Sequence, residues 1–263
     1  MARVRLDSLL AERGLFPSRS RAAAAVLAGD VVLGPGRRRA EKPGQLVADD
    51  VELDVAAPAQ FVSRGGVKLA NALDAFALDV AGRRALDVGA STGGFTDALL
   101  QRGAAHVLAL DVAYGELALR LRDDPRVTVL ERVNARALRP EALLYRPDLI
   151  VADVSFISLA KVLPAVLGCA AERFDALAMV KPQFEVGRER IGKGGVVRDP
   201  ALRREAIVAV AAAARGLGAS VLGFASSGLP GPAGNRETFV HLAEGGRTGA
   251  LESLDAAVRE VEP

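Results

Sequence analysis

The sequence predicts an α/β protein: a doubly wound, mostly parallel sheet preceded by a small α+β unit. Three observations predict it. From residue 84 onward, short apolar runs ending in Asp, Gly or Lys alternate with helical patterns, the rhythm of βαβ units. The first 55 residues read differently, as two short helical patterns followed by short alternating strands. The chain has 263 residues, a length suited to two domains at about 150 residues each. Its 50% hydrophobic and 25% charged composition argues for a packed core rather than disorder.

The elements follow in order. Leu6, Leu9 and Leu10 have helical spacing, and Gly14 ends that helix. Ser18 or Ser20 caps a second helix with Ala22, Val26 and Leu27 on its apolar face, closed by Gly29. Residues 31–33 and 51–55 alternate like strands around a turn at Gly34-Pro-Gly36. Residues 56–62 read as a connection, with Pro58 marking the boundary. Ser63 caps a helix over residues 65–76, with Leu69, Leu73 and Phe76 as its stripe and Lys68 off the stripe's centre. Strands are expected at 83–88, 106–110, 127–130, 149–152, 175–180, 219–225 and 238–242. Helices are expected from the turn at 93–94 through Gln101 and over 202–216. The last strand can pair antiparallel within such a sheet.

Composition excludes several classes. The longest apolar stretches, within 149–152, 162–171 and 206–214, are too short for a membrane helix of about 20 residues. The first residues carry no apolar signal-peptide core, so a cytoplasmic protein is expected. One cysteine, Cys169, precludes an internal disulfide and a cysteine-based zinc site, and two histidines make a metal site unexpected. Charge is uneven: residues 1–45 hold nine Lys/Arg against four Asp/Glu, or +5, leaving −3 for the rest of a chain of net +2. Such an excess on a small unit suits a polyanion or an ordinary solvated surface. Only five of 34 basic residues are Lys. Lys can surrender its proton where Arg cannot, which directs attention to Lys42, Lys68, Lys161, Lys181 and Lys193.

A glycine-rich turn between the first strand and its helix brings backbone close to a ligand. Here it reads Asp87-Val-Gly89-Ala-Ser91-Thr-Gly93-Gly94-Phe95, with Asp111 at the end of the next strand. The dinucleotide pattern Gly-x-Gly-x-x-Gly is absent. The turn suits S-adenosylmethionine better than another nucleotide, because that ligand has no pyrophosphate to seat. Asp87 is expected near its cationic end, turn N–H groups at its carboxylate, Asp111 on its ribose and Asn134 near its adenine. Asp153, Lys181 and Glu237 fall where strands of an open sheet end or a reversed strand begins, and Lys68 on the preceding helix completes two Lys and two acids.

These residues carry two resemblances. Arg3-x-Arg-Leu-Asp7-x-x-Leu10, Gly14, Ser18-Arg-Ser20, Gly29-x-Val31, Lys42-Pro-Gly44 and Asp50-x-Glu-Leu53 resemble the RNA-binding domain named after small-subunit ribosomal protein S-four. Pro35-Gly-Arg37 stands where Asn-Gly is more usual. Ser63-Arg-Gly-Gly-Val-Lys68, Asp87–Asp97, Asp153-Val-Ser-Phe-Ile-Ser158, Val180-Lys-Pro-Gln-Phe-Glu185 and Asn235-Arg-Glu237 resemble the FtsJ/RrmJ class of RNA 2′-O-methyltransferases. Together they resemble the TlyA or haemolysin A family of ribosomal RNA 2′-O-methyltransferases. The resemblance implies an S-four-type domain at 1–57, a linker at 58–62 and a Rossmann-like methyltransferase domain at 63–263. It implies methyl transfer to cytidine riboses of small- and large-subunit ribosomal RNA. Lys68, Asp153, Lys181 and Glu237 would be catalytic. Asp87, Gly89, Ser91, Gly93, Gly94, Phe95, Asp111, Asn134 and Asp153 would bind the cofactor. Arg3, Arg5, Arg19, Arg21, Arg37, Arg38, Lys42 and Arg64 would bind RNA. Family members often carry Trp in the linker, where this chain has Phe61.

A ribose hydroxyl is a weak nucleophile that needs a base. Lys181, crowded by Lys68 and partly desolvated, is the expected proton acceptor, with Asp153 orienting it and Lys68 and Glu237 holding the hydroxyl. The alternatives are a base N-methyltransferase, whose Asp/Asn-Pro-Pro-Tyr/Phe motif Asp153-Val-Ser-Phe156 lacks, and a non-catalytic ribosome-assembly protein. A carbon methyltransferase with a Cys nucleophile is disfavoured because Cys169 lies in an apolar helix, and a pore former because no spanning segment exists. The expected partners are ribosomal subunits, with no membrane and no metal, and the chain is expected to be a monomer or weak dimer.

Overall fold

The computed structural model describes residues 3–55 and 60–262. The Pro58 boundary, the domain end at residue 57 and the first two residues of the expected linker, 58 and 59, lie outside the described residues. The chain divides into two compact units, with the division between Gln60 and Phe61.

The first unit contains β1 (Arg3–Arg5), α1 (Leu6–Glu12), α2 (Arg19–Ala28), β2 (Val31–Leu33), β3 (Arg38–Arg39), β4 (Leu46–Ala48) and β5 (Leu53–Val55). Ser18 caps α2 by accepting from the Arg21 N–H, and Gly29 closes it in the left-handed conformation that a side chain resists. The strands form a β1–β4 pair and a β3–β2–β5 sheet. Leu6, Leu10, Ala22, Val26 and Val31 form the core. The strands β1, β3 and β4 have no counterpart in the sequence reading.

The second unit begins with Phe61. This residue, read from the sequence as linker, is buried, and a Cβ on Gly66 would lie 2.3 Å from its ring. Its elements are α3 (Arg64–Ala75), β6 (Arg84–Val88), α4 (Gly94–Gln101), β7 (His106–Leu110), α5 (Leu119–Arg122), β8 (Val127–Leu130), β9 (Leu149–Ala152), α6 (Leu163–Gly168), β10 (Asp175–Val180), α7 (Pro182–Glu185), α8 (Pro200–Gly216), β11 (Ser220–Ser226), β12 (Thr238–Ala243) and α9 (Leu254–Val261). The strands form one sheet in the order β11-β12-β10-β9-β6-β7-β8. Strands β6 to β10 run parallel to one another, and β12 pairs antiparallel with both β10 and β11.

Alternation along the strands builds two cores. Leu149 and Val151 face one with α3 and α4; Ile150 and Ala152 face the other with α6 and α8. The strand order reverses at β6, so a crevice opens between the ends of β6 and β9, the place where open α/β sheets bind ligands. Register decides what surrounds it. Val88 pairs with Ala152, and Val180 with Thr238. The residues just past these pairs are Gly89, Asp153 and Lys181, and the one just before Thr238 is Glu237, so all four reach one rim.

Candidate active site

The rim encloses a cavity of about 320 Å³ lined by Arg64, Lys68, Gly89, Ser91, Gly94, Phe95, Asp153, Ser155, Lys181 and Glu237, among others. A second cavity of about 510 Å³ shares Gly89, Ser91, Asp153 and Ser155 and continues to Asp111 and Asn134. These volumes fall in the range of ligand clefts, about 300–1,000 Å³.

Lys68 is buried on α3 and ion-paired with the buried Glu237. Lys181 Nζ lies 2.5 Å from Asp153 Oδ1, off that oxygen's hydrogen-bonding direction, and donates to Ser155 Oγ at 2.8 Å. Each lysine therefore has its own carboxylate, which offsets the mutual crowding expected from the sequence. Room for the Glu237 carboxylate is left by Gly231, whose Cβ would sit 2.5 Å from Glu237 Oε1.

The glycine turn is shaped by close approach. Gly89 has φ +86°, and a Cβ there would lie 2.4 Å from the Asp153 carbonyl. Gly94 packs on Ser63 and Gly66. Asp111 accepts from the Ser91 N–H at 2.7 Å and the Ala113 N–H at 2.8 Å. An ionised carboxylate has about four acceptor positions, so capacity remains for two hydroxyls. Asn134 is exposed at the far wall, its Oδ1 capping the Arg136 N–H. A cleft with bare glycine backbone at one end and an acid with spare acceptors at the other fits S-adenosylmethionine.

Two residues expected at the ligand stand behind the turn instead. Gly93, at φ +97°, faces Leu117 and Leu121. Asp87 is fully buried, lines neither cavity, and accepts from Thr96 Oγ1 at 2.7 Å while its Oδ1 has no partner. The strand pleat turns it inward, where position in the motif alone suggested contact. Burial, reinforced by the Asp153 and Asp111 charges, pushes its carboxyl up to about 7 from 3.8. Between those values the folded state binds the extra proton, so stability falls as pH rises from about 4 to 7 and then levels. Asp87→Asn is expected to flatten that fall and to raise stability at pH 8 by about 2–4 kcal/mol. Urea melts at several pH values check this; parallel curves for the two proteins would show Asp87 ionised throughout.

The residues expected at RNA divide between the units. Arg64 lines the cavity in the second. In the first, Arg3, Arg5, Arg19, Arg21, Arg37, Arg38 and Lys42 are exposed. Arg5 and Arg19 both pair with the buried Asp7, which they hold down to about 2, and Arg37 pairs with Asp54.

Sequence reasoning passed over Ser155, the Lys181 partner, and Phe156, which is 92% exposed at φ +63° with its ring 5.3 Å from Phe184. Both lie in a motif noted for other residues. An exposed aromatic beside the rim is suited to stacking on a base. Among the described residues no helix is long and apolar enough to cross a membrane.

The comparisons agree with this geometry. The FtsJ-like methyltransferase family model matches residues 61–244. The 16S/23S rRNA (cytidine-2′-O)-methyltransferase TlyA of Mycobacterium tuberculosis is 55% identical over 91% of this chain and 90% of its own. Hemolysin A of Brachyspira hyodysenteriae is 36% identical over 91% of this chain and 99% of its own. The solved structure of a hemolysin-like protein from Streptococcus thermophilus superposes with a TM-score of 0.73 at 39% identity, covering 99% of this chain and 96% of that one. With its glycine turn and paired lysines and acids at one rim, and with these matches over nearly its whole length, the chain belongs to the FtsJ-like methyltransferase family.

Proposed function

We propose that the protein transfers a methyl group from S-adenosylmethionine to the ribose 2′-hydroxyl of cytidine in ribosomal RNA. The observation that carries this reading is the meeting of Lys68–Glu237 and Lys181–Asp153 in one cavity beside the glycine turn. S-adenosylmethionine, when bound, supplies an electrophilic methyl on a positive sulfur. Lys181 takes the proton as the hydroxyl oxygen forms its bond to the methyl carbon and the carbon–sulfur bond breaks. Asp153 and Ser155 aim the Lys181 amine, and Asp153 stabilises the ammonium that forms. Lys68, fixed by Glu237, directs the hydroxyl from the other side of the cavity. Phe156 offers its face to the base. Such a substrate places the enzyme in the cytoplasm.

Mapping methylated nucleotides in ribosomal RNA incubated with the protein and cofactor tests this. A 2′-O-methylcytidine is expected; methyl on a base would favour base N-methylation, and no methyl on any nucleotide would favour an assembly role. Asp111→Ala is expected to weaken cofactor binding by roughly 1.5–3 kcal/mol, the worth of hydrogen bonds to a charged group, measured by calorimetry. Unchanged affinity would make Asp111 a brace for the Ser91 turn alone.

The first unit is read as the RNA-binding module. Its exposed cations suit phosphates and RNA shape. Arg38→Ala is expected to weaken binding to ribosomal subunits and to lower the slope of log affinity against log salt by about one, with cofactor affinity intact. Binding equal to wild type at every salt concentration would remove Arg38 from the interface.

A further inference from the structure

The motif Val180-Lys-Pro-Gln-Phe-Glu185 ends in an acid for which the chemistry above has no use. Two loops leave neighbouring parallel strands at the rim: residues 153–158 after β9 and the α7 turn, Pro182–Glu185, after β10. Lys181 holds the start of the first loop through Asp153 and Ser155. Glu185 holds its end: Oε1 accepts from the Leu159 N–H at 2.8 Å. Only residues 156–158 lie between these anchors. Phe156 adopts φ +63° there, which an aromatic residue keeps only where its surroundings over-determine it. Burial opposes charge on the Glu185 carboxyl and pushes it up, so a carboxylate is an expensive choice for a filler and a reasonable one for a tether.

We propose that Glu185 is a positioning residue for methyl transfer, tying the 153–158 loop to the α7 turn so that Lys181, Asp153 and the Phe156 ring keep a fixed geometry toward the ribose. The inference rests on the catalytic reading above. Glu185 itself lines neither cavity and acts on them only through the 153–158 loop, which lines both.

The chain contains no tryptophan, so Phe156→Trp installs a single fluorescent reporter on the loop. Glu185→Ala is expected to lower the anisotropy of that reporter. In the chain without the reporter it is expected to cut kcat on the order of 10–100-fold, the scale of a small misplacement. Glu185→Gln keeps an acceptor for the Leu159 N–H and is expected to restore both readouts. If the Ala variant fails to fold, Glu185→Met, of similar length and without the acceptor, takes its place. The proposal is overturned if the Gln variant is as slow as the one lacking the acceptor, if anisotropy is unchanged, or if the rate without the acceptor stays at wild type. The reporter reads the loop alone, so a failure of the ribose-methylation reading leaves the tether separately testable.

Discussion

Lys181→Arg should fold, bind cofactor and RNA, and transfer methyl groups on the order of 10²–10⁴-fold more slowly, the usual worth of a positioned general base. The amine sits 2.5 Å from Asp153 Oδ1 and donates to Ser155, and a guanidinium can satisfy the same two acceptors. Charge and anchoring thus survive the substitution. The capacity to take a proton does not, because Arg stays protonated. Single-turnover transfer to RNA measures the loss, and calorimetry with S-adenosylmethionine checks that binding is kept. Should Lys181→Arg retain most of its rate, the base lies among Lys68, Asp153 and Glu237.

Removing one member of the Lys68–Glu237 pair should destabilise the protein by about 3–5 kcal/mol, because the other charge is then left buried and uncompensated. Lys68 and Glu237 are 6% and 2% exposed, so neither can turn to water without moving α3 or the entry to β12. Lys68→Met combined with Glu237→Leu should recover most of that loss, since apolar residues of similar volume fill such sites without a desolvation penalty. Methyl transfer should stay abolished in the double variant. Chemical denaturation and the transfer assay together separate the roles: recovery of both would reduce the pair to packing, and recovery of neither would point to misfolding around Gly231.

The elements that read well from sequence are those with long, unbroken patterns. Strands at 106–110, 127–130, 149–152 and 175–180 coincide with β7, β8, β9 and β10, because apolar runs closed by Asp, Gly or Lys leave few other readings. Helix α9 was not anticipated although Ser253, Leu254, Val258 and Val261 have capping and helical spacing; its short amphipathic face has meaning only once α8 is there to cover it. Asp87 shows the limit for single residues, since its place in the motif suggested ligand contact while the pleat points it into the core.

By itself the sequence determined the α/β class, the glycine turn and the identity of the two lysines and two acids at strand ends. These are local matters: period, turn chemistry and the rule that open sheets act at their carboxyl edge. Only the tertiary structure decided which lysine meets which acid. Lys68 and Glu237 are 169 residues apart in the chain. They meet because β12 runs antiparallel beside β10 in a register that sets Thr238 against Val180, while α3 packs on the face below. Pairing register and the packing of a helix on a sheet depend on contacts across the whole unit, and no local pattern of residues contains them.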